Sequence, residues 1–140
     1  MSADAALVDL FRRELELCKV TPEETVAVLS EGDIRADYAQ AFMVAAQSLG
    51  AQTFHVNVPP RLVHGGFAGN FGHTAIGGNR PVIEALKAAD LVIDLMLLLF
   101  SAEQNEITAS GTRMLLVVEP VEVLSRLLPT ESLRTRVEAA

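Results

Sequence analysis

Lysine is almost absent from this chain. Only Lys19 and Lys87 occur in 140 residues, and the net charge is −7. Without a basic stripe there is little to neutralise phosphates, so nucleic acid and anionic membrane are excluded as partners. Cysteine is nearly absent too. Cys18 is the single one and falls at an apolar helical position, so it forms no internal disulfide and reads as a small buried hydrophobe in a reducing compartment. Long apolar runs are missing. The longest, from Leu91 to Phe100, contains Asp94 and is far too short to span a bilayer. Asp4, Asp9 and Glu14 break up the opening residues, which leaves no secretory pattern. The expected location is the cytoplasm.

Several catalytic signatures are absent as well. No serine sits in G-x-S-x-G and no H-E-x-x-H occurs. The first turn after a strand, Ser30-Glu31-Gly32-Asp33, lacks the G-x-G-x-x-G that brings bare amides to a pyrophosphate. Glu31 and Asp33 put negative charge there instead, with Asp33 read as a helix cap or as a carboxylate in a cleft.

What is present is apolar. Half the residues are hydrophobic and the mean hydropathy is +0.32. One domain of this size can bury roughly 70% of the surface its unfolded chain exposes. The excess suggests apolar surface meant for a partner or a second domain.

The periodicity resolves into alternating elements. Leu7, Leu10, Phe11, Glu14 and Leu17/Cys18 mark a helical stripe over Ala5 to Cys18. Thr21-Pro22-Glu23-Glu24 is a capping box for one short turn. Thr25 to Leu29 is a strand, and a helix capped by Asp33 runs to Leu49 before Gly50. Gln52 to Val58 is a second strand, stopped by Pro59-Pro60. A glycine-rich stretch reaches Asn79, and Arg80 to Ala88 is a helix. Asp90 to Leu95 is the third strand. Ser101 opens a capping box with Gln104 and a helix to about Ser110, and Arg113 to Val118 is the fourth strand. Pro120 to Leu128 and Glu131 to Ala140 read as helices.

Strands alternating with helices predict a Rossmann-like or flavodoxin-like α/β domain, residues 1–140, in three layers. The expected sheet is parallel and four-stranded, in order 2-1-3-4. Ligands of such sheets sit at the carboxyl ends of the strands, where strand order reverses. The loops there are Ser30 to Asp33, Asn57 to Asn79, Met96 to Ser101 and Glu119-Pro120.

His64 and His73 lie nine apart in the glycine-rich loop, with His55 upstream and no acidic or thiol ligand between. That spacing does not make a metal site. The loop reads as a substrate lid, an interface arm or a mobile segment.

The stretch "AADLVIDLMLLLFSAEQNEITASGTRMLLVVEPVEVLSRLLPTE" resembles the 2,5-dihydroxypyridine 5,6-dioxygenase family, itself related to the M29 leucyl aminopeptidases (aminopeptidase T). "LELCKVTPEETVAVL" and "TAIGGN" are similar to that family as well. The resemblance implies an N-terminal domain of a longer enzyme. In the family a larger C-terminal part holds the metal: two histidines and a carboxylate on Fe(II) in the dioxygenases, a two-metal cluster in the peptidases. This chain would then carry no catalytic residue, no metal ligand and no cofactor of its own, and would be inactive alone. The chain stops inside a helical pattern at Glu138-Ala139-Ala140, which fits that expectation. The other readings are the corresponding domain of an M29-type aminopeptidase, or a stand-alone binding or assembly module.

The apolar "MLLLF" after the third strand is the candidate pocket or interface. Met96, Leu98, Phe100, Ser101 and Glu103 belong to it, with His64 and His73 from the long loop. It would be covered by the C-terminal catalytic domain or by a second copy in a homo-oligomer, and would wall the site of a small aromatic substrate. Alternatively the strand simply runs longer and buries Met96 and Leu98 beneath a helix. In the pyridine dioxygenases a histidine precedes "SxEQ" and is assigned acid/base work on the substrate hydroxyl. Phe100 stands at that position here and cannot transfer a proton.

Overall fold

The structure is a computed structural model and describes residues 4–59, 76–96, 98 and 101–120. The expected helices beyond Pro120, the histidines His64 and His73, and Phe100 lie outside the described residues.

Among the described residues four helices and four strands alternate: α1 (Ala5–Leu17), β1 (Thr25–Glu31), α2 (Ala36–Ser48), β2 (Gln52–Val58), α3 (Arg80–Lys87), β3 (Leu91–Asp94), α4 (Ala102–Ala109) and β4 (Arg113–Leu116). The strands form one parallel sheet in the order β2-β1-β3-β4, as the alternation of the sequence predicts. Strand order reverses between β1 and β3.

The two central strands are apolar on both sides because both sides are covered. Val26 and Val28 of β1, Leu91 and Ile93 of β3, and Leu115 of β4 join Leu7, Phe11 and Leu15 of α1 and Phe42 and Ala45 of α2 in one core. Ala27 and Leu29, Val92 and Met114 join Ile83 and Leu86 of α3 and Ile107 of α4 in the other. Each fully buried Leu, Ile or Phe contributes about 2–3 kcal/mol. Phe11 lies at the centre of the first core, stacked on Phe42 with ring centroids 3.8 Å apart and edge-on to Tyr38 at 5.1 Å. Glu14, on the apolar stripe by spacing, is buried there too.

The local signals place most ends correctly. The Asp4 carboxylate accepts from the amides of Ala6 and Leu7 and caps α1. Thr21 and Glu24 bond reciprocally and make a turn rather than a helix. Ser101 Oγ accepts from Gln104 N at 3.0 Å and caps α4. One end differs. β1 runs on to Glu31, Gly32 turns the chain at φ 56°, and a bridge pairs Glu31 with Ile34. The helix therefore starts at Ala36, and its cap is Arg35, not Asp33. Asp33 is exposed.

The amino ends of the strands are fastened by ions. Arg113 of β4 donates to the Cys18 carbonyl at 2.7 Å and pairs with Glu24 at 2.7 Å. Asp90 accepts from Thr25 N at 2.8 Å. On the outer surface Arg80 bridges Glu84 and Glu106, and Lys87 joins both carboxylates. Hydrogen bonds from Arg80, then from Lys87, pull the Glu106 carboxyl down to about 2. Arg80 and Glu84 of this network are exposed, Lys87 and Glu106 half-buried, and together they join α3 to α4.

Gly50 ends α2 at φ +85°, and a Cβ there would approach Pro22 Cβ to 3.2 Å. Gly50→Ala is therefore expected to destabilise the fold by about 1–2 kcal/mol, from left-handed strain plus the crowded turn. Urea unfolding checks it: an unchanged midpoint would show that the turn yields without cost.

Candidate functional site

The carboxyl ends of the strands carry the polar groups that the two-faced core cannot accommodate. Three constellations meet there.

The first shapes the loop after β3. Asp94 is the last residue of that strand and only 1% exposed. Its Oδ1 accepts from Met96 N at 2.9 Å and its Oδ2 from Leu98 N at 2.8 Å. Two charge-assisted bonds to backbone amides satisfy the buried carboxylate and bend the chain in one defined way. Leu98 O then accepts from Ser101 N at 3.0 Å, next to the cap of α4. The one charge inside the longest apolar run is thus the residue that turns it.

The second constellation crosses the point where strand order reverses. Arg35 adopts φ 56°, ψ 37°. Its Nη1 donates to Leu95 O at 3.4 Å and its Nη2 to Val118 O at 3.1 Å. Tyr38, one turn on, donates to Glu119 O at 2.8 Å. The first turn of α2 is in this way tied to the segments that leave β3 and β4.

The third joins β1 to β2. Asn57 Nδ2 donates to Gly32 O at 2.8 Å and to Ser30 Oγ at 3.1 Å, and Ser30 Oγ lies 2.7 Å from His55 Nε2. Ser30 is buried and its oxygen already accepts from Asn57. Ser30 Oγ and His55 Nε2 share one further proton, and which of them carries it is set by the imidazole tautomer. Burial lowers the His55 pKa, in keeping with a neutral ring. The buried serine makes this a structural clasp and not a nucleophile with its base.

The candidates named from the sequence separate as follows. Leu98 is fully buried in the α3/α4 core, and Met96 is half-buried against that core. Ser101 is buried as the α4 cap, and Glu103 stands half-buried in the first turn of α4. Phe100, His64 and His73 lie outside the described residues. Cys18 is buried, and its thiol is pushed up to about 12 by desolvation and then by the Glu14 carboxylate; it is no nucleophile. Among the described residues no group of three or more His, Cys, Asp or Glu could hold a metal ion. No described helix is long and apolar enough to cross a membrane.

Sequence reasoning missed Arg35, Asp94 and the Ser30–His55–Asn57 clasp. A charge interrupting an apolar run was the available signal for Asp94. A left-handed arginine leaves no signal.

Comparison with known proteins gives concordant matches. The sequence profile described as NicX, 2,5-dihydroxypyridine 5,6-dioxygenase, matches residues 6–140. The 2,5-dihydroxypyridine 5,6-dioxygenase of Pseudomonas putida KT2440 is 42% identical over 142 residues, a region that takes in 99% of this chain and 41% of that protein. The solved structure of 2,5-dihydroxypyridine dioxygenase from Pseudomonas putida KT2440 superposes with a TM-score of 0.84 and 41% identity, over 94% of this chain and 39% of that one. The chain spans about two fifths of the length of the relatives it matches.

The clasp gives a pH prediction. A histidine whose folded pKa lies below its unfolded value stabilises the fold above about 6.5, and that contribution is lost as pH falls below it. His55 should titrate below that value by NMR. His55→Gln should flatten the loss of urea stability between pH 7 and 5. A His55 midpoint at or above 6.5 would contradict the lowering by burial and the stability window that follows from it.

Proposed function

The chain belongs to the 2,5-dihydroxypyridine 5,6-dioxygenase family, and from that membership we propose that it forms the N-terminal α/β part of a dioxygenase that opens hydroxylated N-heterocyclic rings. The observation that carries the proposal is 42% identity over 99% of the chain, against only 41% of the relative. Fe(II), when bound, supplies positions for ring oxygen and dioxygen. The described residues do not fit that role, since they contain no ligand set. The proposal therefore gives the metal to the remainder of the enzyme and gives these residues binding and positioning work.

The place for that work is the rim formed by the loops after β1 and β3, where α/β sheets take ligands. Met96 opens the apolar segment on this rim and Ile34, half exposed at 50%, stands on the turn after β1. The rest of the enzyme, or a second copy, covers the rim and closes a pocket for a small aromatic ring. Met96, Phe100 and Ser101 are assigned to that pocket or interface, and Leu98 supports it from the core.

Metal analysis tests the division of labour. The 140-residue chain, loaded anaerobically with ferrous iron and desalted, is expected to retain far less than one iron per chain and to leave 2,5-dihydroxypyridine intact. One tightly held iron per chain would overturn the assignment of the ligands elsewhere.

Phe100 separates shape from chemistry. In the longer enzyme, Phe100→Leu should weaken substrate binding by about 1–2 kcal/mol through lost aromatic contact. The pH dependence of turnover should stay as it was, because no titrating group is removed. Phe100→His should add a group titrating near neutral pH. A fall in melting temperature with unchanged affinity in both variants would assign Phe100 to the core.

A further inference from the structure

On the reading that the rim meets a ring substrate, we infer that Arg35 is a positioning residue for the loop that leaves β3. From the turn after β1 its side chain reaches over to the carbonyl of Leu95, and so fixes the pose of the segment that follows.

The backbone makes the first point. Arg35 is left-handed at φ 56°, a conformation that glycine adopts without penalty and arginine does not. Reach makes the second. Its two terminal nitrogens bond carbonyl oxygens on the segments leaving two different strands, Leu95 and Val118. A lysine has no planar fork with which to span both. Place makes the third. Leu95 is the residue between Asp94, whose carboxylate holds Met96 N and Leu98 N, and the loop that those bonds shape. Asp94 sets the shape of the loop, and Arg35 sets where that shape sits relative to the turn after β1. Its guanidinium forms no ion pair among the described residues, so charge neutralisation is not its role there.

A control exists in the same molecule. Among the described residues Lys19 is the other non-glycine residue at positive φ, 61°, and it is exposed just after α1. Glycine at either position relieves the same backbone strain. Only Arg35→Gly also removes a grip on the rim.

The experiment uses the full-length enzyme loaded with ferrous iron, with 2,5-dihydroxypyridine as substrate. K19G should leave kcat and KM at wild-type values, with an equal or higher melting temperature. R35G should melt close to wild type, because relieved strain offsets two lost hydrogen bonds. Its KM should rise about tenfold, the worth of one hydrogen bond to a charged group, with kcat within about twofold, the signature of lost uniform binding. Amide exchange at Met96 and Leu98 should accelerate in R35G and not in K19G. R35K, which keeps the charge but not the fork, should fall between. A wild-type KM in R35G overturns the positioning role and leaves the proposed function standing. Absence of ring cleavage by the loaded wild-type enzyme overturns both. If R35G fails to fold, R35K decides: a raised KM at a held melting temperature supports the role, and an unchanged KM overturns it.

Discussion

A parallel sheet made by crossover helices leaves neither face wet, and most of this molecule answers to that constraint. β1 and β3, at the centre, are buried on both sides along nearly their whole length. A polar side chain inside them would cost several kcal/mol unless paired. Polar groups are accordingly displaced to strand ends, and each one found there is engaged. Thr112 donates to the carbonyls of Lys87 and Ala89, Asp94 accepts from two amides, and Ser30 is held between Asn57 and His55. At the carboxyl edge, where ligands of this fold class bind, Asp94 is therefore held within its own loop and Ser30 across to β2.

That arrangement explains what the sequence made legible. Helix identities follow from apolar period, and strand identities from short, nearly continuous apolar runs, because both faces of the sheet are covered. The order of strands follows from alternation plus right-handed crossovers. The cap at Ser101 read correctly because a side chain and an amide three residues away decide it. The Asp33 cap read wrongly for the opposite reason. β1 continues to Glu31 under tertiary pairing, the turn is used up by Gly32 and the Glu31–Ile34 bridge, and no residue near Asp33 announces it.

The candidate site was less legible than the fold. The apolar run after β3 drew attention to a loop whose organising residue is the single acid within it. Arg35 contacts segments sixty and more positions away, and nothing local encodes such a reach. Ser30, His55 and Asn57 come together through the register Val28↔His55 and Ser30↔Asn57 of β1 on β2, which only the folded sheet establishes. The family membership fits this picture: the fold is preserved against a relative at 41% identity, while the contacts of Arg35 and of Ser30, His55 and Asn57 depend on long-range pairing.

The grip of Arg113 on the carbonyl of Cys18 spans 95 positions and joins β4 to the end of the first helix. Synthesis on the ribosome runs in one direction, at about 5–20 residues per second. α1 emerges early and can settle on α2 soon after. Its final fastening waits until β4 has left the exit tunnel and entered the sheet. Until then the partner of the Cys18 carbonyl is missing, and β3 lacks the neighbour that β4 supplies in the folded sheet.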